Sequence, residues 1–147
     1  RKEIPIENFH KGPGKTILEN GEMLVSLKFP KREINSSDVY LRMTPRTEMD
    51  IAVVGCGVNI SFENNICTAA RVSLGAVAPT PLLIEEASEI MVGTDLNSDV
   101  LDKVAALCMQ ACNPINDKRG TIDYRTKVAG VLLKRSVLIA IDRIKGN

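Results

Sequence analysis

Tryptophan is absent from this 147-residue chain, and aromatic residues make up only 3% of it. The core must therefore be built from aliphatic side chains, and too few rings are present to form a stacking surface for single-stranded nucleic acid. An excess of one charge sign is also lacking, because 19 Lys and Arg residues are balanced by 18 Asp and Glu residues. This balance argues against binding to DNA, RNA or an anionic membrane surface.

Long apolar runs are missing as well. The run from Val137 to Ile141 is bounded by Arg135 and Asp142, so it is too short to cross a membrane. The first residues, RKEIPIENFH, contain no apolar core of the kind that signal peptides have, and the chain does not begin with Met. We interpret this start as cut or processed.

Metal ligands are scarce. The four cysteines, Cys56, Cys67, Cys108 and Cys112, form no C-x-x-C pair, and His10 is the only histidine. This spacing argues against a zinc or iron-sulfur site within the chain. We expect buried, reduced thiols that pack as small apolar groups, in a reducing compartment such as the cytoplasm.

The stretch HKGPGKT, residues 10–16, ends like a nucleotide-binding P-loop. A P-loop needs a Gly five residues before Gly14, where Phe9 stands, and it must open a helix. The segment MLVSLKFP that follows at residues 23–30 is instead typical of a strand. The stretch is therefore interpreted as a Gly/Pro turn, and His10 as an exposed residue without a catalytic role, because no obvious nucleophile accompanies it.

Three segments alternate apolar and polar residues with a period of two, as half-buried strands do. They are SSDVYLRMTPR, DIAVVGCGVNISF and ICTAARVSLGAVA, which start at residues 36, 50 and 66. The alternation puts Val39 and Leu41 on one face of the first strand, and Tyr40 and Arg42 on the other. In the third strand it predicts an inner face made of Ile66, Thr68, Ala70, Val72, Leu74 and Ala76, with Cys67 on the outer face.

After the strands, the apolar period changes to that of helices. Thr80-Pro81 predicts the start of a first helix that ends at Gly93, Ser98 predicts the cap of a second, and the third is expected to run from near Thr121 to about Ile144. The sequence thus predicts an α+β fold, in which a small antiparallel β-sheet of three to four strands is followed by, and packed against, a three-helix bundle.

The polar stretch NDKRGTIDYR crowds the start of the third predicted helix. Asp123 suits the positive end of the helix dipole, and pairs of Asp and Arg could hold the loop in place. We favour a structural role for these ion pairs over ligand binding, because networks of this kind are commonly structural. No catalytic constellation is visible in the rest of the sequence.

Four segments together resemble one family. They are FHKGPGKTILENGEMLVSLKFP, YLRMTPRTEMDIAVV, ICTAARVSLGAVAPTP and INDKRGTIDYRTKVAGVLL. In this order and spacing they resemble the C-terminal half of the flavoprotein (medium) subunit of the molybdenum hydroxylases, the family of xanthine dehydrogenase and aerobic carbon monoxide dehydrogenase. The resemblance implies that residues 1–30 are the tail of an FAD-binding domain, and that residues 31–147 form the C-terminal domain of that subunit.

The resemblance also implies a function as part of a larger enzyme. In the family, electrons pass from a molybdenum cofactor through two [2Fe-2S] centres to FAD, and then to NAD or another acceptor. FAD would be shared with an N-terminal FAD-binding portion, while an iron-sulfur small subunit and a molybdenum large subunit would carry the other cofactors. By motif position, Leu24 matches the apolar residue that packs on the isoalloxazine ring, and Arg42 matches a basic residue near the flavin edge, commonly Lys, where a cation favours the anionic reduced flavin.

A second function remains open at this point. The chain could instead be a non-catalytic assembly domain without its own cofactor, which joins the iron-sulfur and molybdenum subunits. The residues themselves favour this alternative in one respect, because no complete cofactor site lies within them.

Overall fold

The computed structural model describes residues 1–48 and 50–146, and it has the α+β architecture that the sequence predicts. The chain forms one short 3-10 helix, six strands and three α-helices in the described ranges. In chain order these elements are the 3-10 helix Ile6–Asn8, β1 His10–Gly12, β2 Lys15–Thr16, β3 Ser36–Met43, β4 Val54–Glu63, β5 Ile66–Gly75, β6 Leu82–Leu83, α1 Glu85–Met91, α2 Ser98–Ala111 and α3 Ile122–Lys145.

A four-stranded antiparallel sheet organises the domain, with the strand order β3-β4-β5-β6. Helix α3 packs on β3 and β4, α1 packs on β5, and α2 packs on both other helices. The inward side chains of the strands are buried, as the period-two pattern predicts for Val39, Cys56 and Val72. One face of the sheet is therefore covered by the three α-helices, and the other, called here the outer face, carries no α-helix among the described residues.

A β-bulge changes the faces of β5 and makes one part of the prediction wrong. Ser61 pairs with Ala69, but Phe62 pairs with Cys67, so Thr68 is an extra residue on β5. An extra residue reverses the alternation on one side of the bulge. Consequently Cys67 is fully buried, whereas Ile66 is 40% exposed.

The first helix begins later than the sequence predicts. Leu82 and Leu83 form the edge strand β6, which pairs with Leu74 and Ser73 of β5, and α1 starts only at Glu85. Short apolar runs fit a strand and a helix equally well, and pairing with β5 decides between them. The prediction for residues 81–84 was wrong for this reason.

The two later helices begin where their cap residues predict, within one residue. Asn97, rather than Ser98, caps α2, and its side-chain oxygen accepts hydrogen bonds from the backbone N–H groups of Asp99 and Val100. Thr121 caps α3 by accepting a hydrogen bond from the N–H of Tyr124. Each cap satisfies helix donors that have no intrahelical partner.

The N-terminal region differs from the rest of the chain. Strands β1 and β2 form a small hairpin across Pro13 and Gly14, as the turn interpretation predicts. Residues 23–30 are not in a strand, although their sequence is strand-like. Their apolar side chains are largely exposed, with Met23 at 74% and Phe29 at 82%. The segment thus presents an apolar surface that the described residues do not cover.

The thiols pack much as the sequence predicts. Cys56, Cys67 and Cys108 are buried, and Cys112 is partly buried. Burial raises the pKa of Cys56 to about 11 and that of Cys108 to about 12, so both are neutral at physiological pH. Across residues 1–48 and 50–146, no helix combines the length and the apolar character that crossing a membrane requires.

Candidate functional site

Arg42 lies on the outer face of the sheet. It is an exposed residue of β3 and stands opposite Gly55 of β4, which in turn stands opposite Gly75 of β5. Within the described ranges its guanidinium has neither a salt bridge nor a hydrogen bond. Arg42 is therefore a cation beside two positions that carry no side chain.

Leu24 lies in the extended N-terminal region, and its side chain is 53% exposed. It contributes nothing to the buried core, unlike most strand-like leucines. The structure therefore leaves Leu24 available to contact another group, but it does not bring Leu24 and Arg42 together through any described contact.

Tyr40 is the residue that sequence reasoning did not single out. It lies two positions before Arg42 on the same face of β3, and its side chain is 65% exposed. Its ring lies directly on Gly55, because a Cβ placed there would be 2.6 Å from the Tyr40 hydroxyl oxygen and 3.2 Å from two ring carbons. The signal in the sequence was the pair Gly55 and Gly57 within a central strand, where glycine commonly marks a close approach to the backbone.

A groove of about 610 Å³ runs beside this ring, between the outer face and the N-terminal region. Its wall is mostly apolar, and a few charged groups are set into it. The ion pair of Arg71 and Glu7, 3.5 Å apart, joins the two sides. The lining residues are Ile6, Glu7, His10, Phe29, Asp38, Val39, Tyr40, Gly57, Val58, Asn59, Arg71, Ser73, Pro81, Leu82 and Leu83. A groove of this size and composition suits a small organic ligand or cofactor.

The polar cluster before α3 is built around a buried arginine. Arg125 is 4% exposed, and its guanidinium donates hydrogen bonds to the Val53 carbonyl at 2.7 Å and to the Asp117 carboxylate at 2.6 Å. The Arg119 backbone N–H and the Arg125 guanidinium hold the pKa of Asp117 below its ordinary value. The cluster therefore fastens the loop before α3 to the end of the sheet, as the structural interpretation predicts.

A second group of charges extends this cluster to the loop after β3. Burial disfavours a charge on Asp50, but the backbone N–H groups of Arg46 and Ile51, at 2.9 and 2.8 Å, outweigh that effect and lower its pKa. Arg119 also lies 3.8 Å from Asp50. These contacts surround a cleft of about 310 Å³, in which Arg46 and Arg119 are paired with Asp50 and Asp117. The cleft is thus held together by ion pairs between two loops.

Comparison with known proteins identifies the class of domain to which this fold and outer face belong. The sequence model of the CO dehydrogenase flavoprotein C-terminal domain matches residues 39–140. The chain belongs to this family, as its resemblance to the molybdenum hydroxylase flavoproteins predicts.

Particular relatives agree with this assignment. The chain is 34% identical over 142 residues to the carbon monoxide dehydrogenase medium chain of Afipia carboxidovorans. The aligned region covers 97% of this chain and 49% of that relative. It is 27% identical over 145 residues to a putative xanthine dehydrogenase FAD-binding subunit of Escherichia coli. That alignment covers 98% of this chain and 50% of the relative. The chain thus spans about half the length of these relatives.

Solved structures show the same fold. The reconstituted CO dehydrogenase from Oligotropha carboxidovorans superimposes with a TM-score of 0.89 at 34% identity, over 93% of this chain and 48% of that one. Quinoline 2-oxidoreductase from Pseudomonas putida 86 superimposes with a TM-score of 0.83 at 28% identity, over 94% and 47%. The likeness extends beyond residues 39–140, because more than nine-tenths of the chain is covered in both.

Proposed function

We propose that this chain is the C-terminal part of the FAD subunit of a molybdenum hydroxylase, and that it helps to position FAD. Residues 1–30 would complete an FAD-binding domain, and residues 31–147 would form the domain that closes on the flavin from one side. The observation that carries the proposal is the family membership, together with relatives named as FAD-binding or medium subunits of which the chain covers half.

The exposed surface supports a larger assembly. The accessible area is 10130 Å², whereas a folded monomer of 16.0 kDa exposes about 7,400 Å² by the usual scaling with mass. The N-terminal region contributes to this exposed area, since Met23, Val25, Leu27 and Phe29 are more than half exposed. Apolar surface of this kind marks a contact with other protein. We assign it to the FAD-binding portion of the same subunit.

The residues present fit a flavin on two counts. Leu24 offers an exposed apolar side chain for a planar ring, and Arg42 offers a cation with no partner in the described ranges. A cation in a partly desolvated site stabilises negative charge nearby. FAD, when bound, supplies the redox chemistry, while protein groups hold and tune it.

The other parts of the enzyme belong to this proposal too. Electrons would reach the flavin from [2Fe-2S] centres in a small subunit, after substrate oxidation at a molybdenum cofactor in a large subunit. NAD or another acceptor would remove them. We place the assembly in the cytoplasm, and we expect the chain alone to be inactive, because the two assigned flavin contacts do not make a complete cofactor site.

Co-expression tests the proposal. The chain is produced with an FAD-binding portion from a close relative, and the purified complex is examined for flavin absorbance. We expect a yellow complex, and we expect Arg42→Gln to make its reduction potential more negative, since a cation near the ring is lost. Arg135→Gln, an exposed substitution on α3, is the matched control. A colourless complex would overturn the proposal.

The assembly function without a cofactor is the competing candidate, favoured by the same exposed apolar segment. It predicts that the colourless complex still captures the iron-sulfur and molybdenum subunits. Pull-down of those subunits by flavin-free protein, with no flavin bound under any condition, would establish it instead.

A further inference from the structure

Tyr40 is held flat by the backbone beneath it. Its ring occupies the space that a side chain at Gly55 would need, and any Cβ there would collide with it at 2.6 Å. Gly57, opposite Tyr40 in the register, is similarly closed to a side chain, because the Ser73 hydroxyl would lie 2.7 Å from a Cβ. One face of the ring is thus fixed against the sheet, while 65% of the side chain stays exposed.

The neighbouring row of the sheet is open only at its far end, because the Tyr40 ring covers its middle position, Gly55. Arg42, Gly55 and Gly75 stand in register across three strands. A Cβ on Gly75 would have nothing within 4 Å of it, so the space above this position is empty. Across the row, Arg42 is therefore followed by the Tyr40 ring over Gly55 and then by empty space over Gly75.

We propose that the exposed face of the Tyr40 ring is the platform that stacks on the isoalloxazine ring, with Arg42 at one side of the stack and the empty space above Gly75 at the other. This inference rests on the proposed function. It adds Tyr40 as a positioning residue and the space above Gly75, neither of which was identified from motif positions. The assignment follows from complementarity: an aromatic face and a nearby cation suit a planar ring that gains negative charge, and the empty space above Gly75 gives its edge room.

The pairing of platform and cation is set by strand geometry. Residues two apart on one strand point to the same face and are about 6.8 Å apart, since each residue advances about 3.4 Å. A ring system that lies over Tyr40 therefore reaches Arg42 without any change in the backbone. Aromatic rings stacked with an offset gain energy beyond area burial, and a ring already fixed on one side loses little freedom on binding.

Substitution of Tyr40 tests the platform. The co-expressed, flavin-loaded complex is compared with its Tyr40→Leu and Tyr40→Phe variants by FAD titration and by flavin fluorescence. Tyr40→Leu keeps an apolar side chain over Gly55 but removes the ring, so FAD should bind about 2- to 10-fold more weakly. Its fluorescence should rise, because a stacked ring quenches the flavin. Tyr40→Phe should retain near-native affinity.

Tyr124→Leu is the matched control, because Tyr124 is the other tyrosine of the chain and is 41% exposed at the start of α3. This control should leave both readouts unchanged. If Tyr124→Leu weakened FAD binding as much as Tyr40→Leu, the effect would be a general loss of folding, and the platform would be rejected.

Substitution of Gly75 tests the empty space. Gly75→Leu places a side chain in that space, on the side of the Tyr40 ring away from Arg42, and the fold should tolerate it since nothing lies within 4 Å of its Cβ. FAD binding should fall at least as far as with Tyr40→Leu. Ala69→Leu, an exposed change at the far end of the same strand, is the control and should have no effect.

The outcomes separate this inference from the proposed function. A colourless wild-type complex would defeat both. A yellow complex whose FAD affinity and fluorescence are indifferent to Tyr40→Leu and to Gly75→Leu would overturn the platform alone, and the flavoprotein assignment would stand.

Discussion

The N-terminal region of this chain, residues 1–36, and the region that follows it differ in how many side chains they bury. Residues 1–36 contain no buried side chain, whereas the buried apolar residues of the described chain begin at Val39 and end at Ala140. The family match covers these same residues, 39–140. A segment without buried side chains cannot offset its own conformational entropy. The buried core thus lies entirely in the second region, whereas the first has an apolar surface suited to contact with other protein.

Among the substitutions that test this difference, replacement of a core leucine should lower the free energy of unfolding most. Leu133→Ala removes a fully buried side chain of α3 and should lower the free energy of unfolding by about 2–5 kcal/mol. Leu27→Ala, at 59% exposed, should change it by no more than about 0.5 kcal/mol. Urea denaturation followed by circular dichroism measures both. Equal costs would mean that the N-terminal region is part of the same cooperative unit.

Much of the fold could be predicted from patterns among neighbouring residues. Alternation places Val39 and Cys56 inward, and the Thr121 cap marks the start of α3, because these signals depend only on neighbouring residues. The bulge at Thr68 and the edge strand at Leu82 were missed, since both are decided by pairing with another strand. Long-range pairing is not encoded in a local period.

The candidate site likewise has parts that could be predicted from the sequence and parts that could not. Leu24 and Arg42 came from motif resemblance, and their role stays a prediction. The Tyr40 platform depends on Gly55, which lies on a different strand, so that only the register brings them together. The polar stretch before α3 was recognisable as ion pairs, but its bond to the Val53 carbonyl spans 72 positions and could not be read from the sequence.

Removal of the buried arginine should have the second-largest effect. Arg125→Met leaves the Val53 carbonyl without its donor and Asp117 without the nearer of its two cations, Arg119 being 3.5 Å away. A buried polar group without a hydrogen-bond partner destabilises the folded state, so the free energy of unfolding should fall by about 2–3 kcal/mol. Thermal unfolding measures it, with the exposed substitution Arg135→Met on α3 as the control. A loss no greater than that of the control would show that the cluster does not fasten the loop.

Substitutions on either side of the bulge sharpen the comparison within one strand. Cys67→Ser replaces a fully buried thiol, whose one recorded side-chain partner is the Ala69 carbonyl, with a more polar hydroxyl and should cost about 1–3 kcal/mol. Ile66→Ala alters a side chain that is 40% exposed and should cost less than about 1 kcal/mol. Simple alternation predicts the reverse order. Denaturant midpoints of the two variants therefore test which register the strand adopts in solution.

Acid should produce the smallest effect, through a single carboxylate that is already partly exposed. The pKa of Asp117 is lower in the folded chain than its ordinary value of 3.8. Its stabilising contribution is therefore fully present above pH 3.8 and is lost as the pH falls through the folded pKa. Asp117→Asn should be less stable at neutral pH and should lose less of its remaining stability on acidification, whereas Glu89→Gln, at an exposed position of α1, should follow the wild type. Parallel acid curves for wild type and Asp117→Asn would mean that the Arg119 N–H and Arg125 contribute little to holding the charge on this carboxylate. The loop would then be held chiefly by the hydrogen bonds that the Arg125 guanidinium donates to the Val53 and Ala76 carbonyls, at 2.7 and 3.4 Å.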